Sequence, residues 1–315
     1  MIKFSELESG HNYELFAMIT ELLEKEAKNG NPFLDVKLSD GDKEIVAKLF
    51  DHDLEGFGHK RGDLLQLSLN VSTYNGNPNY LIKSYRSATD EDEVSLDDFI
   101  LSAPIPAKTM YDECLNVANE IKSRNNELGT IVETIYIENK DKLLYWSAAK
   151  SMHHNCYSGL LYHSWRMMKA AINLTKVYTS VDADMVIAGC MLHDVGKLVE
   201  LDTDEFGVAD YTVDGNLFGH LMIGAEIIRN YAKKLGIKGE LVRNLAHIIA
   251  SHHYNREWGA VAPPATSEAF MVSQIDMIDA KMYIYEKTEA ELNPGEITQT
   301  PAFDGIRIYR SANKV

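Results

Sequence analysis

The chain lacks the means to cross a membrane or to be held together covalently. It has no run of about 18 apolar residues, so no membrane span is expected, and no basic stretch followed by an apolar core opens it. Its three cysteines, Cys114, Cys156 and Cys190, stand at no framework spacing, which excludes a disulfide scaffold and favours free thiols in a reducing compartment. A cytoplasmic protein with no membrane partner is therefore expected. Positive charge is also scarce. Lys and Arg number 31 against 47 Asp and Glu, a net charge of −16, so a broadly basic nucleic-acid surface is excluded. A small basic cluster remains open, as does a site where bound divalent cations reverse the local field. No internal repeat is visible.

What is present divides into a β part and an α part. Residues 12–27, 33–39, 43–50, 63–73 and 79–84 read as five short strands separated by turn signals such as Asn29-Gly30-Asn31-Pro32, Gly41-Asp42 and Asn75-Gly76-Asn77. Five strands in about 80 residues suit a small OB-type barrel. An acidic, polar stretch and the rigid step Ala103-Pro104-Ile105-Pro106 follow, after which the hydrophobic period becomes helical over 107–124, 159–178, 183–201, 219–235, 239–251 and 267–291. The reading is multi-domain: an N-terminal all-β OB-type barrel (1–88), a linker (89–106), an all-α helical bundle (107–300) and a C-terminal tail (301–315).

The bundle carries the chemistry. His193-Asp194, in Met191-Leu192-His193-Asp194-Val195-Gly196-Lys197, places an imidazole beside a carboxylate at the end of an apolar run, a pairing that suits a divalent metal. Each candidate also has an ordinary explanation: His163 as a hydrogen-bonded core histidine, Asp194 as a helix cap, His220 as an exposed residue at a helix start, and His252-His253 as cations favoured at a helix C-terminus. Asp276 and Asp279 share one helix face, and either could be a ligand. Together His163, His193, Asp194, His220, His252, His253 and Asp276 offer donors for two metals. Lys197 is expected to face a phosphate, and His153-His154 to lie on the substrate side or in a solvated loop.

These features resemble a known family. The signature His163, His193-Asp194 and Asp276 is similar to that of the HD-domain metal-dependent phosphohydrolases. With Asn31-Pro32-Phe33-Leu34 and Ala47-Lys48-Leu49-Phe50-Asp51 in the barrel, Ser158-Gly159-Leu160-Leu161-Tyr162-His163, the stretch Tyr211 to Leu217, Gly219-His220, and Ser251-His252-His253 with Glu257-Trp258-Gly259, nearly the whole chain resembles the YhaM-type bacterial 3′-5′ exoribonucleases.

The resemblance implies a metal set of His163, His193, Asp194 and Asp276, with His220, His252 and His253 serving a second ion. It implies a phosphodiesterase working with metal-activated water on single-stranded RNA, or DNA, from the 3′ end. Two divalent ions per site are expected, Mn first, with Co, Fe, Mg or Zn as alternatives. Asp194, Lys197, His220 and His253 are the expected catalytic residues, His220 or His253 giving a proton to the leaving oxygen. Phe33, Lys48, Phe50, Tyr74 and Tyr80 are the expected strand-holding residues of the barrel, although Phe33 and Phe50 could equally be core. A homo-oligomer is expected. Two other classes stay open: a nucleotide or cyclic-dinucleotide phosphohydrolase, and a non-catalytic nucleic-acid-binding module. The cyclic-dinucleotide branch has Gly-Tyr-Pro where this chain has Glu257-Trp258-Gly259.

Overall fold

The computed structural model describes residues 2–27, 30–74, 76–149, 156–300 and 305–313. It divides into two compact units, Met1–Ser102 and Ala103–Val315.

The first unit is a closed five-stranded barrel. Its strands are β1 (Asn12–Glu26), β2 (Pro32–Ser39), β3 (Glu44–Phe50), β4 (Leu64–Tyr74) and β5 (Asn77–Ser87), with the short helix α1 (Leu54–Phe57) between β3 and β4. The order around the barrel is β1-β2-β3-β5-β4, and β1 pairs with both β2 and β4. The 15-residue β1 serves both neighbours because its register shifts between Ile19 and Glu21, so its two halves pair with different strands. Alternation fills the interior: Leu65, Leu67, Leu69 and Val71 of β4 and Leu34, Val36 and Leu38 of β2 point inward and are buried. A five-stranded barrel closed by a parallel β3–β5 pairing is the OB-fold arrangement.

The stretch expected to be linker is partly structure. Ser39 Oγ donates to the Phe99 carbonyl at 2.7 Å, and Phe99 is fully buried. Gly41, at φ 87°, lets the Asp98 carbonyl approach to where a Cβ would stand only 2.1 Å from it. The chain therefore leaves the barrel unit after Ser102.

The second unit is helical: α2 (Ala107–Arg124), α3 (Asn126–Glu138), α4 (Lys140–Leu143), α5 (Gly159–Leu174), α6 (Ala183–Leu192), α7 (Lys197–Glu200), α8 (Val213–Lys234), α9 (Glu240–Ser251) and α10 (Ser267–Glu291). Among the described residues, β6 (Leu201–Thr203) pairs with β7 (Ala209–Tyr211) between α7 and α8, and β8 (Ile297–Gln299) pairs with β9 (Arg307–Tyr309) after α10. Helix α3 lies outside the expected helices. It buries Leu128, Ile131, Val132, Ile135 and Tyr136 along one face, and Asn125 caps it by accepting from the Leu128 N–H.

Several expected boundaries move. The helix expected over 183–201 ends at Leu192, and a turn carries His193 to Gly196 before α7 begins. The helix expected from Gly219 begins instead at Val213, capped by Thr212, and kinks at Gly219 (φ 67°, ψ 157°). The tail expected from residue 301 contains β9, whose Ile308 is buried, and Arg310 donates to the carbonyls of Leu292 and Glu289, so this segment docks on the end of α10.

Candidate metal centre

Five histidines and two aspartates converge in the bundle, and each imidazole is oriented the same way. His163 Nδ1 meets Asp279 Oδ2 at 2.8 Å, His193 Nδ1 the Cys190 carbonyl at 2.9 Å, and His220 Nδ1 the Glu200 carboxylate at 2.9 Å. His252 Nδ1 meets the Ile249 carbonyl at 2.8 Å and His253 Nδ1 the Trp258 carbonyl at 2.8 Å. All five partners are oxygen acceptors, so each Nδ1 carries the proton and, in the neutral ring, each Nε2 presents a bare lone pair.

Those lone pairs face one another. His163 Nε2 and His193 Nε2 are 3.1 Å apart, and His220 Nε2 and His253 Nε2 3.3 Å. Two neutral rings facing in this way, as His220 and His253 do, repel unless a cation lies between them.

Asp194 joins the two groups. Its Oδ2 is 3.2 Å from His193 Nε2 and 3.9 Å from His163 Nε2, while its Oδ1 is 3.3 Å from His220 Nε2 and 3.6 Å from His252 Nε2. Asp276 Oδ1 closes the first group, 3.2 Å from His163 Nε2. Donor atoms of His163, His193 and Asp276, of His220, His252 and His253, and of His193, Asp194 and His252 each lie close enough together to hold one ion.

Charge and solvation point the same way. Asp194 Oδ1 and His252 Nε2 are buried without a hydrogen-bond partner, a costly state that coordination to a cation would relieve. Among the described residues, the carboxylates of Asp194, Asp276, Asp279 and Glu200 cluster here, with Lys197 2.8 Å from Asp194 Oδ2 and Arg166 2.6 Å from Asp279 Oδ1. Burial lowers the pKa of His220, His252 and His253, which keeps them neutral and able to ligate. Burial also works against charge on His163, but hydrogen bonds to Asp276 and Asp279 outweigh it and raise that ring to about 9. Without a metal this ring therefore holds a second proton, on the Nε2 that faces Asp276, and an ion bound there would have to displace it. Asp194 stays well below the usual carboxylate range because Lys197 and His193 outweigh its burial. The residues fit a pair of divalent ions bound by mixed N and O donors.

The local fold explains how the ligands meet. Gly196 packs directly beneath α8: a Cβ there would stand 2.0 Å from the His220 carbonyl oxygen and 2.8 Å from the Gly224 nitrogen. Gly215 similarly admits the Glu200 carbonyl. The kink at Gly219 frees the His220 N–H, and Glu200 Oε1 takes both it, at 2.9 Å, and the ring Nδ1–H. His220 is buried, not exposed at a helix start.

Sequence reasoning missed Glu200 and Arg166. Neither belongs to a local pattern, since Glu200 reaches His220 across 20 residues and Arg166 ties α5 to α10 through Asp279 and Glu286. Replacing Glu200 with glutamine is expected to lower metal affinity about 10- to 100-fold, as losing the hydrogen-bond partner of a ligating histidine typically does. Calorimetric titration of the ion into the variant checks this.

Other expected roles change. Lys197 is buried at the edge of the cleft and its ammonium lies 2.8 Å from Asp194 Oδ2, so it offsets that carboxylate's charge instead of reaching freely into solvent. His220 and His253 have Nδ1–H already donated and a pKa lowered by burial, which favours the neutral ring with Nε2 free of a proton over the proton-donor role expected for them. His153 and His154 lie outside the described residues.

A cleft of about 1320 Å³ opens onto the centre, reaching Asp194, Lys197, His220, His252, His253 and Asp276. In the barrel, Phe33 and Phe50 are cross-strand partners on the outer face, with ring centroids 5.4 Å apart. Phe33 is buried under Lys48, whose ammonium lies 5.0 Å from its ring, while Phe50 is 45% exposed. Tyr74 is 70% exposed, whereas Tyr80 packs against the barrel core. Asp35 engages both Lys25, at 2.5 Å, and Lys48, at 3.0 Å, on this same face.

Comparison with known proteins agrees with this geometry. A family model described as "HD domain" matches residues 160–281. The 3′-5′ exoribonuclease YhaM of Listeria monocytogenes is 34% identical over 297 residues, 93% of this chain and 93% of its own. That of Halalkalibacterium halodurans is 34% identical over 305 residues, 96% of this chain and 93% of its own. The second OB-fold domain of replication protein A from Methanococcus maripaludis covers 30% of this chain and 96% of its own at 21% identity and a TM-score of 0.24; strand order, not that likeness, identifies the barrel. End-to-end identity with these relatives, together with an HD domain that contains the converging histidines and aspartates, shows that the chain belongs to the family of YhaM 3′-5′ exoribonucleases.

Proposed function

We propose that the chain is a metal-dependent phosphodiesterase that removes nucleotides from the 3′ end of single-stranded RNA. The observation that carries this is the set of five imidazoles with Nδ1 occupied whose Nε2 atoms gather in one cluster with Asp194 and Asp276 beside an open cleft. RNA as substrate and the 3′ direction come from the activity printed for the relatives.

In this reading His163, His193 and Asp276 would hold one ion and His220, His252 and His253 another, with the Asp194 carboxylate within reach of both groups. When bound, divalent ions supply Lewis acidity, activating water for attack at phosphorus and offsetting charge on the phosphoryl oxygens. The chain's own residues fix that chemistry in place. Glu200 and Asp279 orient His220 and His163, Arg166 fixes Asp279, and Lys197 limits the negative charge a phosphodiester meets. Manganese is the first ion to try, since a mixed His/Asp set also accepts Co, Fe, Mg or Zn.

The barrel is proposed to hold the strand, with Phe50 and Tyr74 as stacking rings and Lys48, over the neighbouring Phe33, as a positive charge. Phe50→Ala is expected to weaken single-strand binding about 5- to 150-fold, from roughly 1–3 kcal/mol per stacked base, with metal content unchanged. Filter binding measures it. A homo-oligomer and a cytoplasmic location complete the proposal. Exposed apolar side chains on α8, among them Leu217, Phe218 and Met222, support the first, and three buried free cysteines the second.

A time course on 5′-labelled single-stranded RNA tests the function. With Mn²⁺ a ladder should shorten from the 3′ end and stop on chelation. Intact RNA under each of the candidate metals would refute the reading and favour a nucleotide substrate or a binding role.

A further inference from the structure

Two large aromatic side chains lie half exposed in the cleft that holds the ligand cluster: Trp258, 57% exposed, and Tyr211, 49% exposed. Rings of this size normally contribute by burial, and rings left open beside a polar centre mark a surface meant for something else.

Neither ring is on a loose segment. Trp258 belongs to a short 3₁₀ turn, Arg256–Trp258, which Asn255 caps through its side chain. Backbone bonds from Trp258 to Asn255, from Gly259 to Arg256, from Ala260 to Asn255 and from Val261 to Ala250 close the turn on itself. Tyr254 is held at φ 64°, a conformation that costs a residue with a side chain about 1–2 kcal/mol and that the surrounding bonds must enforce. Tyr211 ends β7, paired with Leu201, and the next residue, Thr212, donates through Oγ1 to the Val199 and Glu200 carbonyls.

Both anchors lead to the same half of the centre. The Trp258 carbonyl accepts the His253 Nδ1–H, while Glu200, beside Thr212, accepts the His220 Nδ1–H. His220 and His253 are the pair whose Nε2 atoms face each other at 3.3 Å. Each exposed ring is thus built onto the backbone that orients one of these imidazoles. Lys287 of α10 lines the cleft as well and can meet a backbone phosphate.

We infer that Trp258 and Tyr211 form a base-stacking subsite for the terminal nucleotide of the strand, seating the phosphodiester beside the His220/His253 half of the centre. The inference rests on the reading of the chain as a 3′-end hydrolase and adds which residues grip the end. Stacking recognises the π-face that every base has, so the subsite accepts any sequence and favours an unpaired end over a base-paired one.

The full-length, Mn-loaded protein tests it in two ways. Of the three tryptophans, Trp146 is buried and Trp165 donates its indole N–H to Glu113, so quenching by a bound base reports chiefly on Trp258. Adenosine 5′-monophosphate should quench the wild type and not Trp258→Phe, and ribose 5-phosphate, which has no base, should quench neither. On RNA, Trp258→Ala should raise KM about tenfold or more for a strand with a normal 3′ end. It should leave KM for a strand with an abasic 3′ end and the bound metal unchanged, and Trp258→Phe should restore most of the loss. Tyr211→Ala should show the same base-dependent pattern. Equal effects on the normal and abasic strands, or equal quenching by the two small molecules, would overturn the inference. Failure of the wild type to cut any RNA would count against the function instead, and the mononucleotide titration would still decide the stacking.

Discussion

Asp194→Asn should leave a protein that folds yet holds little metal and hydrolyses RNA about 10³-fold more slowly or worse. The carboxylate is the one group whose two oxygens reach both halves of the centre, Oδ2 toward His193 and Oδ1 toward His220 and His252. Losing only the hydrogen-bond partner of a ligand typically costs about 10- to 100-fold, so losing a shared ligand should cost more. Asparagine is preferable to alanine because it keeps the volume, but either change leaves the buried Lys197 ammonium without its partner. An uncompensated buried charge costs about 3–5 kcal/mol, so a lowered unfolding midpoint should accompany the loss of metal. Elemental analysis, a melt and a cleavage assay on one preparation separate these effects. Retained metal with retained activity would contradict the placing of Asp194.

Gly196→Ala is expected to have a large effect for a single methyl group. Its Cβ would meet the His220 carbonyl oxygen at 2.0 Å and the Gly224 nitrogen at 2.8 Å, both backbone atoms that no rotamer can move aside. Either α8 withdraws from the His193–Gly196 turn or the turn is displaced. Both outcomes separate His220 from Asp194. Overpacking of this kind costs about 1–3 kcal/mol and occasionally more, and the upper end is expected where only backbone can yield. A urea midpoint should fall accordingly and metal affinity by tenfold or more. A variant with wild-type stability and wild-type metal affinity would show that the contact is not as close as described.

Residue order carries much of this architecture. Alternation in Leu65, Leu67, Leu69 and Val71 is by itself the mark of a half-buried strand, and five such runs leave few options besides a small barrel. The ligand set is legible because histidines and aspartates recur at apolar helix ends. Helix α3 is also written in the spacing of Leu128, Ile131, Val132 and Ile135, although it lies outside the helices expected from the sequence. The supporting contacts are not legible. Glu200 is one acid among 47 Asp and Glu, and nothing local ties it to a histidine 20 residues on. Which way a ring faces is also a tertiary property. Phe33 and Phe50 share the outer face of one strand pair, yet Lys48 covers the first and leaves the second open. Lys197 reads as a phosphate contact in sequence because it follows His193-Asp194, but the turn folds it back onto Asp194.

The central claim is that this cluster binds divalent ions and that those ions are required for hydrolysis. Its most direct test is a metal titration of chelator-stripped protein, counting bound ions per chain by elemental analysis while following cleavage of single-stranded RNA in the same samples. The account predicts two equivalents of Mn²⁺ per chain, no cleavage in the stripped protein and recovery as the sites fill. Full activity in verified metal-free protein, or recovery without stoichiometric binding, would contradict it.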